Sequence, residues 1–171
     1  MSILNSVMQF VMLLLPGLVQ GAQPLLSYNL GAKNLSRVKK TFRLLLVCCV
    51  GGSCLIWLVC MTAPAVVAGV FTDDVDLIAY TEKSLRVYLA MLFIYGVQVA
   101  CQYSFVALDQ APKAIFLTIW RKIIILIPLI FILPHLISHS VMAVYLAEPI
   151  ADTIAVCTTA PMFYFYYRKL K

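Results

Sequence analysis

The sequence predicts an all-α integral membrane protein with five spanning helices, and three observations carry that prediction. Of 171 residues, 63% are hydrophobic and 12% charged, with a mean hydropathy of +0.97, far from the range of soluble globular domains. Uncharged runs cover residues 1–32, 44–72, 87–108, 123–147 and 153–167, against the roughly 20 apolar residues that one spanning helix needs. Basic residues are segregated as well. Eleven of the thirteen fall within 33–43, 109–122 and 168–171, leaving only Lys83 and Arg86 elsewhere. The positive-inside rule then puts the N-terminus outside and the C-terminus in the cytoplasm. The net charge of +6 reads as a topology signal and as contact with anionic membrane lipids, with no nucleic acid implied.

The first span is placed at 4–30. No basic residue precedes it and it exceeds a signal-peptide core in length, so it is expected to be retained. It carries Gln20, Gln23, Ser27, Tyr28 and Asn29 on a helix that Pro24 is expected to interrupt. Polar groups and a proline inside a span are costly in lipid, which points this helix at protein or at a water-filled cavity. Gly31 occupies an expected C-cap position. Asn34 then caps a short helix whose Leu35, Val38 and Phe42 oppose its basic residues, a pattern expected to lie flat on the inner membrane face.

The second span, 44–71, contains Gly51-Gly52-Ser53-Cys54, small residues that let another helix approach. Thr72-Asp73-Asp74 has the form of an N-cap with acidic residues in the first turn, predicting a short external helix before the third span. That third span, 87–108, holds Tyr95, Gln98, Gln102 and Tyr103. Gln98 and Gln102 share a helical face. At 1.5 Å per residue, Gln20 and Gln98 both fall near mid-bilayer, where two amides either line one cavity or bond to neighbouring helices.

Pro128, Pro134 and the polar 135–140 segment break the run 123–147, so a fourth span is placed at 115–134. Arg121 and Lys122 mark its cytoplasmic end and are expected to snorkel to headgroups. The fifth span, 141–165, contains Glu148-Pro149-Ile150-Ala151-Asp152. Glu148 and Asp152 lie four apart on one face. Apolar surroundings disfavour two adjacent negative charges, a property suited to a site alternating between a proton and another cation. The alternative is that Glu148 sits near the outer interface and satisfies backbone groups loosened by Pro149.

The six cysteines fall inside the spans without C-x-x-C spacing, which argues for packing and against a disulfide framework or zinc site. His135 and His139 have metal-pair spacing but no third ligand, so no metal is expected. No nucleophile motif, phosphate loop or H-E-x-x-H occurs, and neither an enzyme nor a bound cofactor is expected.

Several stretches together resemble a known family. They are Gln20-Gly-Ala-Gln-Pro-Leu-Leu-Ser-Tyr-Asn-Leu-Gly-Ala-Lys-Asn34 with Arg37-Val-Lys-Lys40, Ala107-Leu108 ahead of Lys113, Arg121-Lys122 with Ile127-Pro128, and Ala147-Glu-Pro-Ile-Ala-Asp152. The chain resembles the multidrug and toxic compound extrusion (MATE) transporters of bacteria. By that resemblance the five spans correspond to helices 8–12 of a twelve-helix fold, as a partial C-terminal lobe. The resemblance implies a plasma-membrane antiporter in which two lobes alternate access to a central cavity, exchanging H⁺ or Na⁺ for small organic, often cationic, compounds. It also implies a missing N-terminal lobe as partner. The implied substrate-cavity or coupling residues are Gln20, Gln23, Tyr28, Asn29, Tyr95, Gln98, Gln102, Glu148 and Asp152.

The sequence departs from the family pattern at Asp109, where glycine is usual, and at Val106, where glutamine is common. The third span also has no internal acid, so a cation site of that kind is not carried over. Two other readings are a non-transporting remnant and a lipid-linked glycan flippase of the same wider fold. The flippase reading predicts many cations lining the cavity, and these spans are nearly free of them.

Overall fold

A computed structural model describes residues 2–70, 75–136 and 141–169, and all the elements there are helical. They are α1 (Ser2–Gly31), α2 (Leu35–Thr62), α3 (Pro64–Gly69), α4 (Val75–Tyr88), α5 (Leu92–Ala107), α6 (Ala111–Ile119), a π-helical segment (Trp120–Leu126), α7 (Ile127–Leu136) and α8 (Val141–Lys169). The cap expected at Thr72-Asp73-Asp74 lies outside the described residues, as does His139. α4 occupies the place of the expected short external helix. By length and hydropathy, α2 and the 111–135 helix are each able to cross a membrane, and α4 with α5 is a third if that bent pair is one span. The described helices therefore reach two or three by that measure, short of the expected five. Part of the difference is α8, whose Glu148 and Asp152 lower its hydropathy.

α5 is the central post, packing against α1, α2, α6 and α8. It is buried along most of its length, including Tyr95, Gly96, Gln98, Val99 and Phe105. Its closest approach to α2 is at Gly96, where a Cβ would stand 2.4 Å from the Cys49 carbonyl oxygen. The small-residue approach expected at Gly51-Gly52 thus falls one turn away, and the glycine that permits it is on the partner helix. Ser53 Oγ donates to the Phe93 carbonyl at 3.1 Å, so the two backbones meet through a hydroxyl as well as a missing side chain.

The chain bends by 44° between Tyr88 and Leu92. A bend frees carbonyls that lipid cannot satisfy. Trp57 Nε1 donates to the Ala90 carbonyl at 3.0 Å, and together with the Ser53 bond this ties the break to α2.

Two turns have left-handed backbone at non-glycine residues, Lys33 (φ 55°) and Asp109 (φ 58°). Both close a helix end: Asn34 N–H donates to the Asn29 carbonyl and Gln110 N–H to the Phe105 carbonyl, the long-range bond of a Schellman closure. The residue in the special conformation is therefore Lys33, two residues beyond the expected Gly31. Asp109, where the resembling family favours glycine, occupies the backbone region in which a Cβ costs most.

Two further expectations are corrected. Asn34 caps as expected, accepting from Arg37 N–H at 3.3 Å, yet the helix it starts is α2 itself, 28 residues without a break. No separate flat helix forms, because Val38 and Phe42 bury into the same core as Leu45 and Cys49. α1 likewise runs through both Pro16 and Pro24. A proline removes one backbone bond, and for Pro24 the carbonyl released is that of Gln20, on an exposed face.

Candidate functional site

The predicted site residues separate into two groups. One is a buried cluster joining α5, the π segment and α8. Arg121 is 6% exposed and Asp152 4% exposed. Arg121 Nε donates to Asp152 Oδ1 at 2.7 Å, and its terminal nitrogen pairs with the same oxygen. Glu148 Oε1 stands 3.6 Å from that guanidinium and 4.0 Å from Lys122 Nζ. The guanidinium carbon lies 5.2 Å from the centre of the Tyr95 ring, a cation–π arrangement. Two cations therefore balance two carboxylates, and the set is neutral.

The expectation that Arg121 snorkels to headgroups is overturned by this burial and pairing. Its position explains why. Arg121 lies ten residues into the helix that begins at Ala111, about 15 Å along the axis, and Asp152 lies about 25 Å from Lys169. Neither is near an end. The π segment places Arg121 within reach of α8, and π turns recur at functional sites because they re-aim side chains. Glu148 and Asp152 consequently do not stand as a carboxylate pair lacking a cation. Lys122, half-exposed, is the outer member of the set.

The sequence offered one signal for this pairing: an otherwise unexplained pair of carboxylates in one span and a cation pair in the preceding span. Their separation of 31 residues hid it from any reading confined to one helix.

Below Tyr95 on the same helix, Gln98 is 1% exposed. Its Nε2 donates to Gln102 Oε1 at 3.4 Å, Gln102 Nε2 donates to Thr118 Oγ1 at 2.6 Å, and Thr118 donates to the Ala114 carbonyl. These amides tie α5 to α6. Gln98 Oε1 is buried without a hydrogen-bond partner among the described residues.

The second group lies on α1. Gly17, Gln20, Gly21, Pro24, Tyr28 and Gly31 recur at helical spacing on an exposed face. Tyr28 is 75% exposed, and a Cβ at Gly17, Gly21 or Gly31 would meet nothing within 4 Å. Gln23 is half-buried. Asn29 Nδ2 turns back to the Leu25 carbonyl at 2.7 Å, and Ser27 Oγ donates to the Ala107 carbonyl at 2.9 Å, docking α1 on the end of α5. Gln20 and Gln98 therefore do not share a cavity: one is on an outer face and the other inside the helix packing.

With this geometry in place, comparison with known proteins is decisive. The MatE family model matches residues 1–132. The chain belongs to the MATE family. Among solved structures it is similar to the MATE multidrug transporter DinF-BH, determined in complex with the dye rhodamine 6G, with 32% identity and a TM-score of 0.84 over 92% of this chain. It also shares its fold with an inward-facing multidrug resistance MATE family transporter of the MOP superfamily, with 12% identity and a TM-score of 0.76 over 98% of this chain. No curated protein matches. The chain covers 35% and 39% of those two solved transporters, so it spans little more than a third of their length. A MATE chain with these apolar helices is a multi-pass membrane protein.

Proposed function

We propose that this chain forms part of a C-terminal lobe of a secondary active multidrug efflux transporter, exchanging H⁺ or Na⁺ for small organic, often cationic, compounds. The observation that carries the reading is the exposed face of α1. It presents Gln20, Tyr28 and the carbonyl freed by Pro24 along a helix that also exposes Leu14, Leu18 and Leu25. Lipid does not satisfy such groups, whereas a watery substrate cavity shared with a second lobe does. The likeness to a transporter solved with a rhodamine dye supports a bulky organic substrate. In this arrangement α1, α2 with α3, α4 with α5, the 111–136 helix and α8 are five spans of a bacterial plasma membrane, with the lysines of the C-terminus in the cytoplasm. The missing N-terminal lobe is the required partner.

Within that lobe, the Arg121–Asp152–Glu148 cluster is the coupling candidate, with Glu148 the carboxylate held less tightly and so the one free to exchange a proton or cation. Tyr88, Tyr95 and Lys122 are the other titratable groups acting on it. The test is co-expression with an N-terminal MATE lobe, following rhodamine or ethidium efflux from cells carrying each Gln20, Tyr28 and Glu148 variant. Dye retention equal to that of empty cells, with the complex properly inserted, overturns the transport reading. Efflux whose pH and Na⁺ dependence is unchanged in Glu148→Gln removes Glu148 from coupling.

A further inference from the structure

A cleft of about 550 Å³ opens between α2, α5 and α8, on a different part of the lobe from the α1 face. Its walls include Phe42 and Leu46 of α2, Val97 and Cys101 of α5, and Phe163 and Tyr167 of α8. Among the described residues no acidic side chain lines it, and Arg43 is the only charged one that does. Two more cations stand at its aromatic walls: Lys39 Nζ lies 5.6 Å from the centre of the Tyr167 ring and the Arg168 guanidinium 5.9 Å from that of Tyr164, itself a lining residue. Apolar depth and a cationic rim thus coincide.

Position along the helices fixes the scale. Val97 is ten residues from the end of α5 at Ala107, about 15 Å, which is half the roughly 30 Å hydrocarbon thickness. The cleft therefore runs from the basic end of the lobe to the depth of a single leaflet. Aromatic side chains at that level and cations just outside it are the arrangement by which proteins engage headgroups.

We infer that this cleft is a binding site for one anionic phospholipid of the bilayer, its acyl chain lying between Leu46, Val97 and Phe163 and its phosphate held by Lys39, Arg43 and Arg168. Charge complementarity selects the occupant. A zwitterionic lipid offers the same chain but brings its own cation to the rim, and a packed protein helix has no use for three cations there. The inference does not rest on transport.

The purified chain, presented with equal amounts of phosphatidylglycerol and phosphatidylcholine, tests it by native mass spectrometry. Expected is one retained phosphatidylglycerol per chain, preferred by about tenfold or more over phosphatidylcholine. That preference is lost in the double variant Arg43→Gln with Arg168→Gln, kept in Arg43→Lys, and kept in Lys83→Gln, which removes a charge elsewhere. Val97→Trp, which fills the cleft, lowers retention of both lipids. The two arginines are exposed, so their variants carry the test even if Val97→Trp fails to fold. Equal retention of the two lipids, equal loss in Lys83→Gln, displacement by millimolar inorganic phosphate, or a lipid-independent dimer that closes the cleft would each overturn the assignment.

Discussion

The exposed face of α1 and the buried cluster joining α5, the π segment and α8 hold the same kinds of residue and treat them in opposite ways. Both set polar side chains into apolar helices. In the cluster each charge meets its opposite: Arg121 with Asp152, Lys122 and Arg121 with Glu148. On α1, Gln20 and Tyr28 face away from the described helices. In a low-dielectric medium a polar group needs a partner, so the first region is complete within the described residues and the second is a half waiting for its complement. Substitutions in the two regions are therefore expected to separate folding from transport.

The largest effect belongs to the cluster. Arg121→Gln leaves buried Asp152 without its cation and is expected to cost about 3–5 kcal/mol, read as loss of the monodisperse, folded species and a lower Tm in detergent. Arg121→Gln with Asp152→Asn is expected to recover most of that loss. If the double variant is no more stable than the single one, the pair is not the source of the effect. Next is the contact beneath it: Gly96→Ala forces a Cβ against the Cys49 carbonyl and is expected to destabilise by about 2 kcal/mol, again by thermal melting. A smaller effect of opposite sign is expected at Asp109→Gly, which relieves the left-handed backbone and should stabilise by about 0.5–1 kcal/mol. At the low end, Gln20→Ala and Tyr28→Ala are expected to shift stability by less than about 0.5 kcal/mol while lowering dye efflux in the assembled transporter. A stability loss comparable to that of Gly96→Ala would show that the α1 face is already packed, and would collapse the contrast.

The helical class and the broad placement of helices were legible because hydropathy and charge segregation act over whole segments. Asn34 and the polar character of α1, α5 and α8 were legible for a similar reason, since each depends on residues within a turn or two. What escaped depends on contacts between segments. The fusion of 34–43 into α2 follows from the burial of Val38 and Phe42, which amphipathic periodicity alone does not distinguish from adsorption to a membrane surface. Arg121 beside Lys122 has the local appearance of any interfacial basic pair; only its depth and the opposing carboxylates reveal otherwise. The glycine that matters for helix approach was Gly96, a lone glycine in an apolar run, whereas the conspicuous Gly51-Gly52 pair makes only one ordinary contact, Gly52 with Leu15.

The π segment has one last consequence. Each turn there holds more residues than an α turn, so the stretch from Trp120 to Leu126 behaves as an insertion accommodated inside a continuous rod. Excising a single residue from it would let the rod relax to ordinary pitch and swing the portions on either side by about 100° relative to each other. Arg121 and Leu133 would then no longer both face α8. This is a place where the reading frame of the helix, more than the identity of any side chain, is under constraint.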